Sequence, residues 1–396
     1  MREAYEISSA TNNFPEICGR ICPQDRLCEG NCVIEKGFGS VTIGSVEKTI
    51  TETAFAEGWV QPFTPSHETG RSVGIIGAGP AGLAAAEMLR RHGHAVTVYD
   101  RYDRVGGLMI YGIPNFKLDK SIVARREQLL RDSGIQFRLN TTIGPDLSFD
   151  ELRSAHDAVL IATGVYGARA LGISLSDAPN VLPALDYLTA NNKRCLGDMI
   201  ADQYITKGNH VVVIGGGDTA MDCVRTAIRQ EAASITCLYR RDRANMPGSL
   251  REVKNAEDEG VRFEWLSAPA AFHIENGRVH AVEVQRMQLN PADASGRQSV
   301  APITGDTYRM PTDVIIQALG FEAEDLSTLW NTPTLKRTTY GTVAIDAKRF
   351  ETSIPGVFAA GDIVRGASLV VWAIKDGRDA AAAMHRHLTA QKAQAA

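Results

Sequence analysis

The chain has 396 residues, 44% hydrophobic and 22% charged, so it is long enough to bury more than one core. Its formal net charge of -4 leaves no excess of Lys and Arg for a phosphate-backbone surface, which argues against a nucleic-acid partner. No run approaches the ~20 apolar residues of a membrane helix, and the start lacks the pattern of a signal peptide. We therefore expect a cytoplasmic protein without a membrane partner.

Four cysteines crowd into the first part of the chain, at Cys18, Cys22, Cys28 and Cys32. Soft thiolates on a short segment suit an iron–sulfur cluster or zinc. The gap of five residues between the two cysteine pairs is shorter than in common structural zinc sites, and disulfides are rare in reducing compartments. The pattern favours iron–sulfur, with zinc and no metal as the alternatives.

A strand, a glycine turn, a helix and a second strand follow from Ser72, after a proline-containing linker. Gly77, Gly79 and Gly82 form G-x-G-x-x-G between the strand SVGII and the helix, where backbone N–H groups and the helix dipole can face a pyrophosphate. The second strand ends at Asp100. This context predicts a dinucleotide site, and the alternative is that the glycines only allow close packing.

Asp100 decides which dinucleotide is expected at the first turn. A carboxylate there can accept hydrogen bonds from the adenosine ribose hydroxyls, and it disfavours a 2′-phosphate. FAD or NAD is thus favoured over NADP. The following segment Asp103-Arg104-Val105-Gly106-Gly107 resembles the glycine pair of two-dinucleotide flavoproteins, which favours FAD.

A second unit of the same kind begins at His210, with a glycine turn at Gly215, Gly216 and Gly217. Its second strand ends in Tyr239-Arg240-Arg241 instead of an acid. A guanidinium pair can hold the 2′-phosphate of NADP through charge-assisted hydrogen bonds. The pattern predicts preference for NADPH over NADH, and the alternative is that the arginines only solvate a strand end.

These units predict an α/β protein with two Rossmann-like dinucleotide-binding domains after a small, mainly helical cysteine-rich segment. Buried strands ending in turns are expected at Ala158–Gly164, Asp313–Gly320 and Val357–Asp362. The predicted organisation is a helical iron–sulfur segment at 1–60, a linker at 61–71, an FAD-binding domain at 72–167 and 321–396, and an NADPH-binding domain at 168–320.

Several segments together resemble the family of glutamate synthase small subunits, over nearly the whole chain. They are ICGRICPQDRLCEGNCVIEKG, GIIGAGPAGLAAAE, DRVGGLMIYGIPNFKL, VVVIGGGDTAMDC, YRRDRANMPG and GDIVRGASLVVWAIKDGRDAA. Similar modules occur in dihydropyrimidine dehydrogenase and in NADPH–ferredoxin transhydrogenase subunits. Family members carry a further segment with an earlier cysteine run before the residue where this sequence starts, and their two 4Fe–4S clusters draw ligands from both runs.

The resemblance implies a set of cofactor-binding residues. For FAD these are Gly77, Gly79, Pro80, Ala81, Gly82, Asp100, Arg104, Gly107, Leu108, Gly164, Gly361, Asp362, Ser368 and Leu369. For NADPH they are Gly215, Gly216, Gly217, Asp218, Thr219, Arg240 and Arg241. Asp362 is expected to accept hydrogen bonds from the ribityl chain, and the helix beginning near Ser368 is expected to stabilise negative charge on reduced flavin.

The resemblance also implies the activity. NADPH reduces FAD, and single electrons leave through iron–sulfur chemistry near the cysteine run to a large subunit that makes glutamate. No side-chain catalyst is expected, because the cofactors carry the chemistry.

Three rival functions follow from the same residues. An NADPH–ferredoxin oxidoreductase would use ferredoxin as the acceptor, and a non-enzymatic assembly subunit would keep its nucleotides as structural groups. A thioredoxin-reductase-like enzyme is disfavoured because no C-x-x-C pair occurs in the sequence.

Overall fold

The computed structural model describes residues 1–173, 178–293, 296 and 298–395. The chain forms two compact units. The first comprises Met1–Ile110, Asn115–Gly167 and Phe321–Ala396, and the second comprises Tyr111–Pro114 and Ala168–Gly320.

The cysteine-rich segment of the first unit is helical. Its helices are α1 (Arg2–Thr11), α2 (Pro15–Ile21), α3 (Glu35–Phe38) and α4 (Ile43–Ala56). Pro15 opens α2, where its missing N–H costs nothing. A Cβ atom on Gly19 would lie 2.7 Å from the carbonyl oxygen of Gly44, so α2 packs backbone to backbone against the start of α4. Phe14 and Ile17 are completely buried beside this contact.

The first nucleotide fold follows. Its elements are β1 (Ser72–Ile76), α5 (Pro80–Arg91), β2 (Ala95–Tyr99), α6 (Leu108–Tyr111), α7 (Lys120–Asp132), β3 (Gln136–Arg138), α8 (Phe149–Ser154) and β4 (Ala158–Ile161). Uninterrupted apolar runs make β1 and β4, as expected for strands buried on both faces. Asp119 caps α7 by accepting a hydrogen bond from the Ser121 N–H, and Ser148 and Glu151 form a capping box on α8.

The second unit repeats this plan. The chain passes from the first unit to the second within the short strand β5 (Gly167–Ala168). The elements that follow are β6 (Val181–Pro183), α9 (Ala184–Cys195), β7 (His210–Ile214), α10 (Asp218–Arg229), β8 (Ser234–Leu238), α11 (Leu250–Asp258), β9 (Arg262–Glu264), β10 (Ser267–Glu275), β11 (Arg278–Ala292), β12 (Gln298–Pro311) and β13 (Val314–Gln317). A parallel sheet has the order β6-β13-β7-β8-β9, and β10, β11 and β12 form an antiparallel sheet.

The chain then returns to the first unit. The last elements are β14 (Phe321–Glu322), α12 (Leu326–Leu329), β15 (Val357–Ala359), α13 (Asp362–Arg365) and α14 (Val370–Ala395). Strand β15 completes a parallel sheet of order β15-β4-β1-β2-β3. The carboxyl ends of β15, β4 and β1 therefore meet at one sheet edge, where α/β folds bind their ligands.

The predicted fold class is confirmed: two parallel α/β sheets follow a helical cysteine-rich segment. Element boundaries differ by small amounts. Helix α14 begins at Val370, two residues after the expected start, and the carbonyl oxygen of the preceding Leu369 accepts a 3.1 Å hydrogen bond from the Ala373 N–H.

Candidate functional site

The first glycine turn joins β1 to α5. Gly77 has a φ of +112°, and a Cβ atom there would lie 2.3 Å from the carbonyl oxygen of Ala162, just past β4. A Cβ on Gly82 would lie 2.0 Å from the Gly77 carbonyl oxygen. Gly79 differs, since no described heavy atom comes within 4 Å of a Cβ placed there. The turn is closed towards the sheet and open at Gly79, where a ligand could approach the α5 N-terminus.

Asp100 lies beside this turn, directly after β2. Its Oδ2 accepts a 2.6 Å hydrogen bond from the Ala78 N–H, and its Oδ1 accepts a 2.8 Å bond from the Tyr102 N–H. Burial raises the pKa of the Asp100 carboxyl, and the two N–H donors oppose that rise. Each oxygen retains further acceptor capacity, so the carboxylate can also accept bonds from ribose hydroxyls.

Two cavities of about 200 and 80 Å³ share Gly77, Asp100, Thr163 and Tyr166 in their walls. Most of the predicted FAD residues line the smaller one: Gly77, Gly79, Pro80, Ala81, Asp100, Gly107, Leu108, Gly164, Asp362, Ser368 and Leu369. Residues far apart in the sequence thus surround one space above the sheet edge.

Three predicted FAD residues do not line these cavities. Gly82 lies under the turn, where it lets α5 approach β1. Arg104 forms a 3.0 Å ion pair with Asp103. Gly361 has a φ of +79°, and a Cβ there would lie 2.8 Å from the Cβ of Ala81, so this glycine lets the last loop pack on α5. The places of the two glycines indicate that they shape the site, whereas Arg104 lies outside both cavity walls.

Asp362 begins α13 and faces the smaller cavity. Burial raises the pKa of this carboxyl to about 6, the nearby Asp376 carboxylate adds to the rise, and the Ser368 N–H and Arg365 oppose it. Leu369 and Val370 line the same cavity at the start of α14, a helix of 26 residues. The positive end of the α14 dipole therefore lies at the cavity, as the sequence led us to expect.

Several lining residues were missed at the sequence level. The Thr163 hydroxyl oxygen is buried and has no hydrogen-bond partner among the described residues. The Arg101 guanidinium lies 4.5 Å from the Tyr166 ring centre and bonds to Glu324 at 2.9 Å. Thr163 could have been found, because it directly precedes Gly164 at the end of a buried run. Tyr166 and Glu324 carry no local signal, since the fold alone brings them together.

The second glycine turn, between β7 and α10, has the same construction. A Cβ on Gly215, whose φ is +145°, would lie 2.1 Å from the carbonyl oxygen of Ala318, and one on Gly216 would lie 2.4 Å from the Tyr239 ring. No atom of the described chain comes within 4 Å of a Cβ on Gly217. The turn is open at the α10 N-terminus, which is again where a pyrophosphate would bind.

Side chains around the second turn hold it in place. Asp218 begins α10, and its Oδ1 accepts a 2.8 Å hydrogen bond from the Ser249 N–H. Thr219 follows in α10 and is half-buried. Arg240 and Arg241 follow β8; Arg240 is exposed, and the Nε of Arg241 is buried without a hydrogen-bond partner among the described residues. An unsatisfied buried guanidinium N–H calls for an acceptor.

The cysteine run surrounds a third cavity, of about 410 Å³. Cys18, Cys22 and Cys28 line it together with Glu47, whereas Cys32 does not, and the Cys32 sulfur accepts a 3.5 Å hydrogen bond from the Val41 N–H. A hydrogen bond from the Cys18 thiol lowers the pKa of Cys22. The structure thus brings together three of the four predicted ligands.

The cysteines that line this cavity fit an iron–sulfur cluster. A 4Fe–4S cluster binds each thiolate to a different iron, so it needs a space for a body of several atoms with thiolates around it. The cavity of about 410 Å³, with three cysteines in its wall, provides such a space.

No helix in the described part of the chain is long and apolar enough to cross a membrane.

The class of protein follows from the two glycine turns, each of which is open at a helix N-terminus. An acid follows the second strand beside one turn, and an arginine pair follows the second strand beside the other. These features define a flavin- and nicotinamide-dependent oxidoreductase with two dinucleotide folds.

Comparison with known families agrees with this class. Residues 71–377 match the model of the pyridine nucleotide-disulphide oxidoreductases, and residues 1–59 match dihydropyrimidine dehydrogenase domain II, 4Fe-4S cluster. A solved structure of FprA from Mycobacterium tuberculosis in complex with NADPH is similar, with a TM-score of 0.69 and 20% identity over 82% of this chain and 86% of that one. At that identity the likeness shows the fold alone.

Two curated relatives are much more similar. The glutamate synthase (NADPH) small chain of Azospirillum brasilense is 59% identical over 99% of this chain and 82% of the relative, and that of Escherichia coli K12 is 45% identical over 96% and 82%. The chain belongs to the glutamate synthase (NADPH) small-chain family, within the pyridine nucleotide-disulphide oxidoreductases.

Membership confirms the predicted NADPH-dependent oxidoreductase activity and the predicted cofactors, which are FAD, NADPH and a 4Fe–4S centre. Iron–sulfur is thereby selected over zinc, and an electron-transfer enzyme over a non-enzymatic assembly subunit.

Proposed function

We propose that this flavoprotein takes electrons from NADPH and delivers them, through FAD and iron–sulfur chemistry, to a glutamate synthase large subunit that makes glutamate. The observation that carries the proposal is the contrast between two matched glycine turns: Asp100 follows the second strand beside one turn, and Arg240 and Arg241 follow it beside the other. An acid and an arginine pair at these places separate a cofactor without a 2′-phosphate from one that carries it.

The proposed FAD site is the space above the edge of the first sheet. Gly79, Pro80 and Ala81 would hold the pyrophosphate, Asp100 would bind the ribose, and Gly107 and Leu108 would lie near the flavin. When bound, FAD accepts a hydride from NADPH and releases its electrons singly. The protein supplies binding, orientation and charge: Asp362 would accept from the ribityl hydroxyls, and the α14 N-terminus would favour negative charge on the ring.

The proposed NADPH site is the second glycine turn. The N-terminus of α10 at Gly217, Asp218 and Thr219 would receive the pyrophosphate. Arg240 and Arg241 would bind the 2′-phosphate, and that phosphate would satisfy the buried Nε of Arg241.

The proposed cluster site is the cavity at Cys18, Cys22 and Cys28. Cys32 stays a proposed ligand from its position in the run, although it lies outside the cavity wall. Electrons would leave the protein from this segment. A cytoplasmic location stays a prediction, in keeping with NADPH as donor and with cysteines that must remain reduced.

The alternative acceptor is ferredoxin. The small-chain relatives favour the large subunit, because their names describe chains of glutamate synthase. A thioredoxin-reductase activity is not proposed, since the sequence lacks a C-x-x-C pair.

The test is an anaerobic NADPH titration of the purified protein, with iron and sulfide quantified on the same sample. We expect flavin absorbance to bleach and a reduced-cluster signal to follow. The large subunit is then added with glutamine and 2-oxoglutarate, and glutamate is measured against a parallel reaction with ferredoxin. Glutamate formation supports the proposal, ferredoxin reduction alone supports the alternative acceptor, and a flavin that NADPH does not bleach would refute both.

A further inference from the structure

Helix α7 is buried on more than one side. Lys120, Val123, Arg126 and Leu129 are all less than one-tenth exposed, and their spacing of three residues spreads them over about half of the helix circumference. Lys120 and Arg126 are charged, and charged side chains are rarely buried without a specific partner. Their separation along the helix axis is about 9 Å. The two charges therefore mark two distinct contacts of one rigid element.

The beginning of α7 contacts residues 106–109, the flavin-side segment, which contains two residues that would lie near the flavin. The ammonium group of Lys120 donates a 3.0 Å hydrogen bond to the carbonyl oxygen of Met109. A Cβ atom on Gly106 would lie 2.7 Å from a methyl group of Val123, so α7 presses directly on this backbone. The residues between these contacts, Gly107 and Leu108, line the smaller cavity.

The middle of α7 contacts the cysteine-rich segment. The Arg126 guanidinium donates two hydrogen bonds, of 2.8 and 2.9 Å, to the two carboxylate oxygens of Glu16. Glu16 is completely buried and lies in α2, two residues before Cys18. The neighbouring Arg125 likewise donates two bonds, of 2.9 and 2.8 Å, to Glu52 of α4. One helix thus holds both the cysteine helix and the flavin-side segment.

The kind of contact indicates its purpose. A buried bidentate ion pair fixes angle and distance, because two parallel bonds allow little rotation or sliding. It is a poor source of stability, since apolar side chains of similar volume often serve as well. The main effect of the Arg126–Glu16 pair is therefore to fix the position of α2 relative to α7.

We propose that Arg126 is a positioning residue for electron transfer: through Glu16 it fixes the cysteine helix relative to the flavin-side segment, and so sets the rate at which electrons pass from reduced FAD to the cluster. This inference rests on the proposed electron route. Each transfer oxidises the flavin and reduces the cluster by one electron, and no bond to Arg126 forms or breaks. NADPH supplies the electrons as a hydride.

The test compares Arg126→Gln with the control Arg131→Gln, on the same helix, whose side chain pairs with Glu127 of that helix. NADPH-driven bleaching of the flavin is followed by stopped flow, and cluster reduction by freeze-quench electron paramagnetic resonance. For Arg126→Gln we expect bleaching at the parent rate and cluster reduction at least about ten-fold slower, because small displacements of reacting groups cost large factors in rate. The control should match the parent in both steps.

A second variant covers the case in which Arg126→Gln misfolds. The double change Glu16→Met with Arg126→Met keeps apolar packing and removes only the fixed geometry, so it should also slow cluster reduction. In protein freed of its cofactors, amide hydrogen exchange at Cys18 and Cys22 should be about ten-fold faster in the double variant than in the parent, since α2 is no longer held.

The outcomes separate the two claims. Slow cluster reduction with parent-like bleaching and full iron content supports positioning. Parent-like cluster reduction in an iron-containing variant overturns it, as does loss of iron from both variants, which would make Arg126 a requirement for cluster binding instead. A parent protein whose flavin NADPH does not bleach refutes the proposed function before any variant is compared.

Discussion

The carboxylate of Asp100 accepts a 2.6 Å hydrogen bond from the backbone N–H of Ala78, the central residue of the first glycine turn. The acid after β2 thereby holds the loop after β1 in place, and the same residue lines both cavities. One side chain shapes the loop that would receive the pyrophosphate and offers oxygens to the ribose. Replacement of Asp100 should consequently weaken cofactor binding more than replacement of any neighbouring acid does.

Asp100→Asn should lower FAD affinity about 10- to 100-fold. The amide offers one neutral acceptor in place of two charged ones, and hydrogen bonds to a charged group contribute roughly 1.5–3 kcal/mol. FAD content after purification and fluorescence titration of the apoprotein measure the change. Asp103→Asn is the matched control, because that acid pairs with Arg104 outside the cavities and should leave FAD affinity within two-fold of the parent. Equal FAD affinity in all three proteins would contradict the assignment.

Gly77→Ala should lower the stability of the fold, whereas Gly79→Ala should abolish FAD binding without destabilising the fold. A methyl group at Gly77 meets the Ala162 carbonyl at 2.3 Å from a backbone with a φ of +112°, so the fold should lose on the order of 1–3 kcal/mol. Gly79 has a φ of -80° and open space, so its alanine variant should fold with nearly parental stability. That methyl group instead fills the proposed pyrophosphate position, and FAD binding should be lost.

Urea unfolding of the apoproteins and FAD titration separate these two effects. A Gly79→Ala protein that binds FAD as tightly as the parent would exclude a pyrophosphate at this turn. Destabilisation of Gly79→Ala to the level of Gly77→Ala would show that both glycines serve packing only.

The elements that sequence could predict depend on short stretches of backbone. The strand, the glycine turn and the helix lie within Ser72–Arg91, so the spacing of Gly77, Gly79 and Gly82 was enough to place the turn. Asp100, Arg240 and Arg241 could be predicted as nucleotide-binding residues because each follows a strand at a set distance from its turn. These predictions depended on residue types and their spacing within short segments of the chain.

Other features depend on the tertiary fold. Arg126 and Glu16 are 110 positions apart, and only the packing of α7 on α2 brings them together. The cysteine spacing could not reveal that Cys32 lies outside the cavity lined by its three neighbours, because the loop that carries it has no periodic pattern. Tyr166 likewise lines both cavities beside the first glycine turn from a loop with no motif.

Arg241→Gln should reduce the preference for NADPH over NADH by roughly 10- to 100-fold, because charge-assisted bonds to the 2′-phosphate are lost. The KM for NADPH should rise while the rate with NADH stays unchanged. Initial rates of flavin reduction with both nucleotides measure this. Arg243→Gln is the control: its guanidinium already bonds to Glu257 at 2.8 Å, and its loss should change the preference little. A preference that survives in Arg241→Gln would assign the 2′-phosphate to other residues.

Asp362 should make the stability of the FAD-free protein fall as pH rises. Burial raises the pKa of this carboxyl from 3.8 to about 6, so between those values the native state binds a proton that the unfolded chain has lost. The free energy of unfolding therefore decreases through this window, by at most about 3 kcal/mol, and the loss persists at higher pH. Asp362→Asn removes the titration. Urea unfolding should show that the free energy of unfolding of the variant increases relative to that of the parent between pH 4.5 and pH 7.5.

Asp346→Asn is the control, because its effect on the pH dependence of stability should have the opposite sign. Asp346 is solvent-facing, and hydrogen bonds from the Arg349 and Lys348 N–H groups lower the pKa of its carboxyl from 3.8. This variant should therefore lose stability relative to the parent as pH rises from below the native pKa to the unfolded value, and the difference should stay constant between pH 4.5 and pH 7.5. Because Asp362 faces the cavity as a buried carboxyl with a raised pKa, its asparagine variant should also bind FAD more weakly while the apoprotein becomes more stable above the pKa of this carboxyl. A variant with tighter FAD binding and greater stability together would mean that this carboxylate does not serve the cofactor, since only a functional role offsets the cost of burying it.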